Sequence, residues 1–102
     1  MSKIRVMVHG RLNTLKDQEA FEAAFTTVSN SVLGTPGHVK DELLRDTGDP
    51  GAYILMSEWL SREDFLNWEL SSIHMQKTLP MRPYWKGEGE RKILEIGVRL
   101  DG

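Results

Sequence analysis

The side chains with the most chemistry to offer gather between Ile54 and Trp85. His74 stands in a polar SSIHMQK setting, and an imidazole with a reference pKa of about 6.5 suits proton transfer near neutrality. His9 and Arg82 are the other candidates for proton and anion roles. Trp59 ends a strand, while Phe65 and Trp68 lie three residues apart and so share one face of a helix. Tyr84 and Trp85 follow on a proline-punctuated stretch. Together these rings would wall a small-molecule pocket, although an aromatic at an amphipathic position is ordinarily packing. His38 lies in a loop or at a strand start and reads as solvated. Three separated histidines without close carboxylate spacing make a poor metal set, and none is expected. Ser57, Ser61, Ser71 and Ser72 lack the glycine pattern of a nucleophile elbow, so hydrolase chemistry is not expected.

The elements that must position these groups are legible from periodicity. Ile4, Val6 and Val8 alternate with Arg5, Met7 and His9, which predicts a first strand with one apolar face; His9 falls on the opposite face, the one that in this arrangement could look into a cavity. From Thr14 the period changes, and Phe21, Ala24, Phe25, Val28 and Val32 fall within one arc of an amphipathic helix. Gly34, Pro36 and Gly37 stop it. Val39 to Asp46 reads as a second strand, and the TGDPG turn from Thr47 to Gly51 joins it to an antiparallel third, Tyr53 to Trp59. Ser61 is the expected N-cap of a second helix running to about Leu79, with Glu63 and Asp64 in its first turn. Two hydroxyls at Ser71 and Ser72 compete for backbone partners and predict a break there. On an unbroken helix His74 would sit about 120° around the axis from Trp68; a break would redirect it. Pro80 and Pro83 force an extended or turning segment, Lys86 to Gly89 a turn, and Arg91 to Leu100 a last strand.

The order β-α-β-β-α-β predicts an α+β, ferredoxin-like fold: a four-stranded antiparallel sheet with both helices on one face. The other face holds either Met7, Met56 and Leu60 or Tyr53, Leu55 and Trp59, and a homodimer would cover it. With 102 residues the chain is one domain, 1–102. Charged residues make up 27% and the net charge is −2, with bases and acids interleaved, so nucleic acid is not an expected partner. Absence of cysteine removes thiolate chemistry. Neither a signal-peptide run nor a membrane-length apolar segment is present, which points to a cytoplasmic protein without membrane contact.

The GHVKDELLRD strand, the hairpin, and a strand ending in Glu58-Trp59 followed by Ser61-Arg62-Glu63-Asp64-Phe65-Leu66-Asn67-Trp68 and then Ser71 to His74 resemble the antibiotic biosynthesis monooxygenase family over nearly the whole chain. That resemblance implies a dimeric α+β barrel. It implies either cofactor-free oxygenation of an aromatic or polyketide-type substrate, in secondary metabolism, or another activity hosted by the family. Against the cofactor-free oxygenases, Trp59 matches the strand-end tryptophan, Leu55 stands at the position of an asparagine, and Phe65 at that of a tyrosine. Against the haem-degrading members, Trp68 matches the helix tryptophan, but Gly10 and Thr78 stand where an asparagine and the axial histidine are needed, so no haem cofactor is implied. Members of the family place the Met81 to Trp85 segment near the pocket mouth. The implied site therefore has His74, His9 and Arg82 as acid–base or anion-binding groups and Leu55, Trp59, Phe65, Trp68, Tyr84 and Trp85 as substrate contacts. A non-oxidative cyclase or isomerase, or a non-catalytic binder of haem or a hydrophobic metabolite, stays open as an alternative.

Overall fold

The computed structural model describes residues 3–87 and 90–102. Glu88 and Gly89, part of the expected turn before the last strand, lie outside them, as do Met1 and Ser2. Strand β1 (Ile4–Leu12) is followed by a 3-10 turn at Leu15–Asp17 and helix α1 (Gln18–Ser31). Strands β2 (His38–Arg45) and β3 (Ala52–Trp59) form the hairpin, helix α2 (Arg62–Glu69) and the short helix α3 (His74–Thr78) come next, and a 3-10 turn at Leu79–Tyr84 leads into β4 (Trp85–Gly87) and β5 (Lys92–Glu95). The architecture is the expected α+β, ferredoxin-like one.

The sheet has the order β2-β3-β1-β4, with β5 also paired to β1, and every pairing is antiparallel. One edge of β1 receives β3 along its length; the other is shared end to end by β4, opposite Gly10 to Leu12, and β5, opposite Ile4 to Met7. The sheet thus has five strands rather than four. It also explains why the last strand stops short of the expected Leu100. After Ile96, whose N–H donates to the Lys3 carbonyl at 2.9 Å, no β1 edge is left to pair with, and residues 97–102 run on without strand pairing.

Alternation decides which side chains are covered. Ile4, Val6 and Val8 pair with Trp59, Ser57 and Leu55, and this face meets the helices. Its apolar groups form two clusters: Ile4, Val6, Trp59 and Phe65 beneath α2, and Leu12, Phe21, Val28, Tyr53 and Met81 beneath α1. Phe21 is 0% exposed, held edge-on to Tyr53 and stacked on Trp85, both at 5.2 Å between ring centres. The other sheet face carries Met7, Ile54, Leu44 and Leu94 and no helix, which settles that Tyr53, Leu55 and Trp59 are the covered set.

Two glycines are required by close approach. The Trp85 indole lies against the backbone of Gly10, where any β-carbon would overlap the ring. Gly37 has φ +82°, in the left-handed region, and the Asp64 side chain occupies the space a β-carbon would need. Asp64 is held there by the cap of α2: its N–H donates to Ser61 Oγ at 3.1 Å, and Ser61 Oγ donates back to Asp64 Oδ2 at 2.9 Å. No helix among the described residues is long and apolar enough to cross a membrane.

Candidate active site

Between the two apolar clusters the core is not closed. A cavity of about 340 Å³ separates them, and its lining draws on both: Val6, Val8, Trp59, Phe65 and Trp68 from one side, Phe25, Val28, Leu55, Met81 and Trp85 from the other. Its volume is at the lower end of small-molecule sites. Polar groups break the apolar wall in two places. Near α3 stand Glu69, His74, Thr78, Arg82 and Arg91; near β2 stand Ser29, Asp41 and Ser57.

The break between α2 and α3 brings His74 into this cavity. Ser71 turns its hydroxyl back onto the Trp68 carbonyl at 2.7 Å, and its N–H donates to the same oxygen at 3.0 Å. These bonds satisfy a carbonyl at the end of α2 and let the chain turn before α3 restarts. His74 is thereby swung onto Trp68, with ring centres 5.0 Å apart and planes at 85°, where a continuous helix would have carried it well around the axis. Lys77 fixes α3 from the other side by donating to the Ser31 carbonyl at 2.7 Å. Burial holds the His74 pKa below its ordinary 6.5, the Arg82 charge lowers it further, and Glu69 opposes both. The imidazole is accordingly neutral near pH 7 and able to accept a proton.

Arg82 is exposed at the rim, its guanidinium donating to Thr78 Oγ1 at 2.8 and 3.2 Å. Thr78 in turn donates to the His74 carbonyl at 3.0 Å. Opposite, Arg91 pairs with Glu69, Nη2 to Oε1 at 2.8 Å and Nε to Oε2 at 2.6 Å, and lies 5.8 Å from the centre of the Phe65 ring. Trp59 is 2% exposed. Its indole N–H is already committed to Ser57 Oγ at 2.9 Å, and its ring meets Phe65 edge-on at 5.7 Å.

Seven of the nine side chains singled out from sequence meet around this cavity: His74, Arg82, Trp59, Phe65, Trp68, Leu55 and Trp85. Two do not. His9 lies on the helix-free face, because it alternates with Val8, and it is exposed beside a separate hollow of about 330 Å³ that it shares with Arg11, Arg45 and Asp49. Tyr84 is half-buried against the Leu12–Phe21–Tyr53 cluster, since the 3-10 turn sends successive residues to different sides. A third expectation is corrected at His38. Its side chain is 3% exposed rather than solvated, because a bulge between His38 and Lys40 shifts the register and turns the ring inward, edge-on to Trp59 at 5.1 Å. Asp41 and Ser29 were not singled out from sequence, and Ser57 was weighed only as a nucleophile; the available signal was that Asp41 shares one face of β2 with Leu43.

A family model described as antibiotic biosynthesis monooxygenase matches residues 5–79. The chain belongs to this family. In sequence, it is 30% identical over 86 residues to Protein SchA of Streptomyces halstedii, covering 84% of this chain and 22% of that protein. It is 32% identical over 80 residues to a 42.8 kDa protein in the whiE locus of Streptomyces coelicolor, covering 78% of this chain and 20% of that protein. It therefore spans about a fifth of the length of either. Among solved structures, SnoaB of Streptomyces nogalater, a cofactor-independent oxygenase, superposes with a TM-score of 0.75 at 15% identity, over 99% of this chain and 97% of that one. At that identity the likeness is one of fold.

Proposed function

We propose that the chain is a cofactor-independent monooxygenase-type enzyme acting on an aromatic or polyketide-type small molecule in secondary metabolism, with the cavity between sheet and helices as its active site. The observation that carries this reading is the placement of His74. A neutral imidazole lies on an aromatic-walled cavity, beside the fixed positive charge of Arg82.

An enolisable aromatic ketone enclosed by Trp59, Phe65, Trp68 and Leu55 loses a ring C–H proton to His74. The resulting anion spreads onto its oxygen, and the Arg82 charge near the rim stabilises it. Such an anion is electron-rich enough to reduce dioxygen directly, forming a C–O bond to give a peroxide anion. Imidazolium then returns the proton, and loss of water leaves a new carbonyl. The substrate methylene is oxidised, one dioxygen is consumed, and one oxygen atom leaves as water. Trp85 and Met81 complete the apolar lining.

The same reading has residues 1–102 working as a single domain, paired with a second copy over the helix-free face, where Leu44 and Leu94 are exposed. Sedimentation at micromolar protein should then give twice the chain mass; a stable monomer would remove the pairing. The reaction is tested by dioxygen uptake on a panel of enolisable polycyclic aromatic ketones, in chelator-treated buffer without flavin. Uptake equimolar with substrate is expected. Tight binding of these ketones without uptake would reduce the chain to a binding protein.

A further inference from the structure

Elsewhere in the lining of the same cavity, β2 and α1 hold a carboxylate in a defined setting. Asp41 Oδ1 lies 2.9 Å from His38 Nε2, and Asp41 Oδ2 accepts from Ser29 Oγ at 2.8 Å. Three residues apart on a regular strand, His38 and Asp41 would point to opposite faces. The bulge between His38 and Lys40 adds one residue to the parity, so that His38 pairs with Trp59, Asp41 with Ser57, and both turn toward the helices. Asp41 and Ser57 are thus direct cross-strand neighbours, and both line the cavity. Ser57 Oγ accepts from the Trp59 indole, which leaves its own hydroxyl hydrogen to donate. A carboxylate has about four acceptor positions, and His38 and Ser29 use two.

The wall therefore presents an acceptor beside a donor. We infer that Asp41 and Ser57 form a subsite that selects a substrate bearing a phenolic hydroxyl, whose O–H donates to Asp41 and whose oxygen accepts from Ser57. This inference rests on reading the cavity as an aromatic-substrate site. Its chemical content is a choice of substrate form. A carboxylate repels a quinone carbonyl or an ether oxygen, which offer only lone pairs, so the subsite admits the hydroxyl form of a ring and rejects the corresponding quinone or methyl ether. Sites built to bond a substrate hydroxyl discriminate strongly against analogues that lack it, because the polar groups are then left unpaired.

The test is calorimetric titration of the full chain with 1-naphthol and with 1-methoxynaphthalene, which share ring and oxygen but differ in the donor. Wild type should bind the naphthol at least about tenfold more tightly. Asp41→Asn, whose amide brings a donor alongside its acceptor, should bring the two within about threefold. Ser29→Ala releases an acceptor position on an intact carboxylate and should keep the full preference, so it carries the test even if Asp41→Asn folds poorly. Equal binding of both probes by wild type, a preference that survives Asp41→Asn, or one lost in Ser29→Ala would each overturn the subsite. Failure of wild type to bind either probe would overturn the aromatic-site reading itself, and the subsite with it.

Discussion

Replacing Trp59 by phenylalanine separates packing from chemistry at the centre of the molecule. The indole is 2% exposed and makes one hydrogen bond, to Ser57 Oγ at 2.9 Å. Losing that bond costs about 1 kcal/mol, and the Ser57 hydroxyl can turn toward the cavity rather than stay orphaned. Phenylalanine also buries roughly 50 Å² less apolar surface than tryptophan, worth about 1.2 kcal/mol at 25 cal/mol per Å². The edge-on contacts with Phe65 and His38 are of a kind that a phenyl ring also makes. The sum is about 2 kcal/mol, and with about 4–8 °C per kcal/mol for a domain of this size Tm should fall by about 10 °C. Thermal and urea unfolding of both proteins measure it. Because the indole N–H is already engaged, affinity for 1-naphthol should change by less than about threefold. An unchanged Tm together with a large loss of affinity would refute the reasoning, since it would mean that the indole N–H serves the ligand instead of the fold.

Three further outcomes are expected. His74→Ala should lower dioxygen uptake by about 10²–10⁴ while leaving folding intact; in wild type the neutral base persists below pH 6.5 because its pKa is lowered, so kcat/KM should fall only as pH drops through that lowered value, and wild-type rates in the variant would remove His74 as the base. Gly10→Ala should force the Trp85 ring off the strand and cost about 1–3 kcal/mol in urea unfolding, a variant of unchanged stability showing instead that the ring has room to move. Glu58 is 1% exposed; burial pushes its pKa up, but hydrogen bonds and charge from Arg99 and Arg5 outweigh that and hold it below 4.5. The folded protein thus binds this proton less readily than the unfolded chain, so the contribution is fully present above about pH 4.5 and is lost as pH falls through the folded pKa. Glu58→Gln should flatten acid denaturation in that window, which urea midpoints measured across it will show or refute.

Periodicity was enough to define the first three strands and the helix between the first two. The alternation through Ile4, Val6 and Val8 and through Tyr53, Leu55 and Trp59 defines two half-buried strands, since successive side chains of an extended chain point to opposite faces. TGDPG and the Ser61 cap mark their own positions because turns and caps are satisfied by residues close in sequence. The grouping of Trp59, Phe65 and Trp68 follows from the same local geometry. What sequence could not decide is which face of a strand meets the helices, because both faces alternate equally well. That choice placed Leu55 in the cavity and His9 outside it. Nor could periodicity register the bulge before Lys40, which reverses parity by one residue and converts His38 from a solvated side chain into the partner of Asp41. The short β4 depended on Trp85 finding the bare backbone of Gly10, 75 residues away in sequence. The direction in which the chain leaves Ser71 depended on α3 packing against α1 through Lys77. Contacts between distant segments made these choices, and an imidazole one turn out of place would not have reached the cavity.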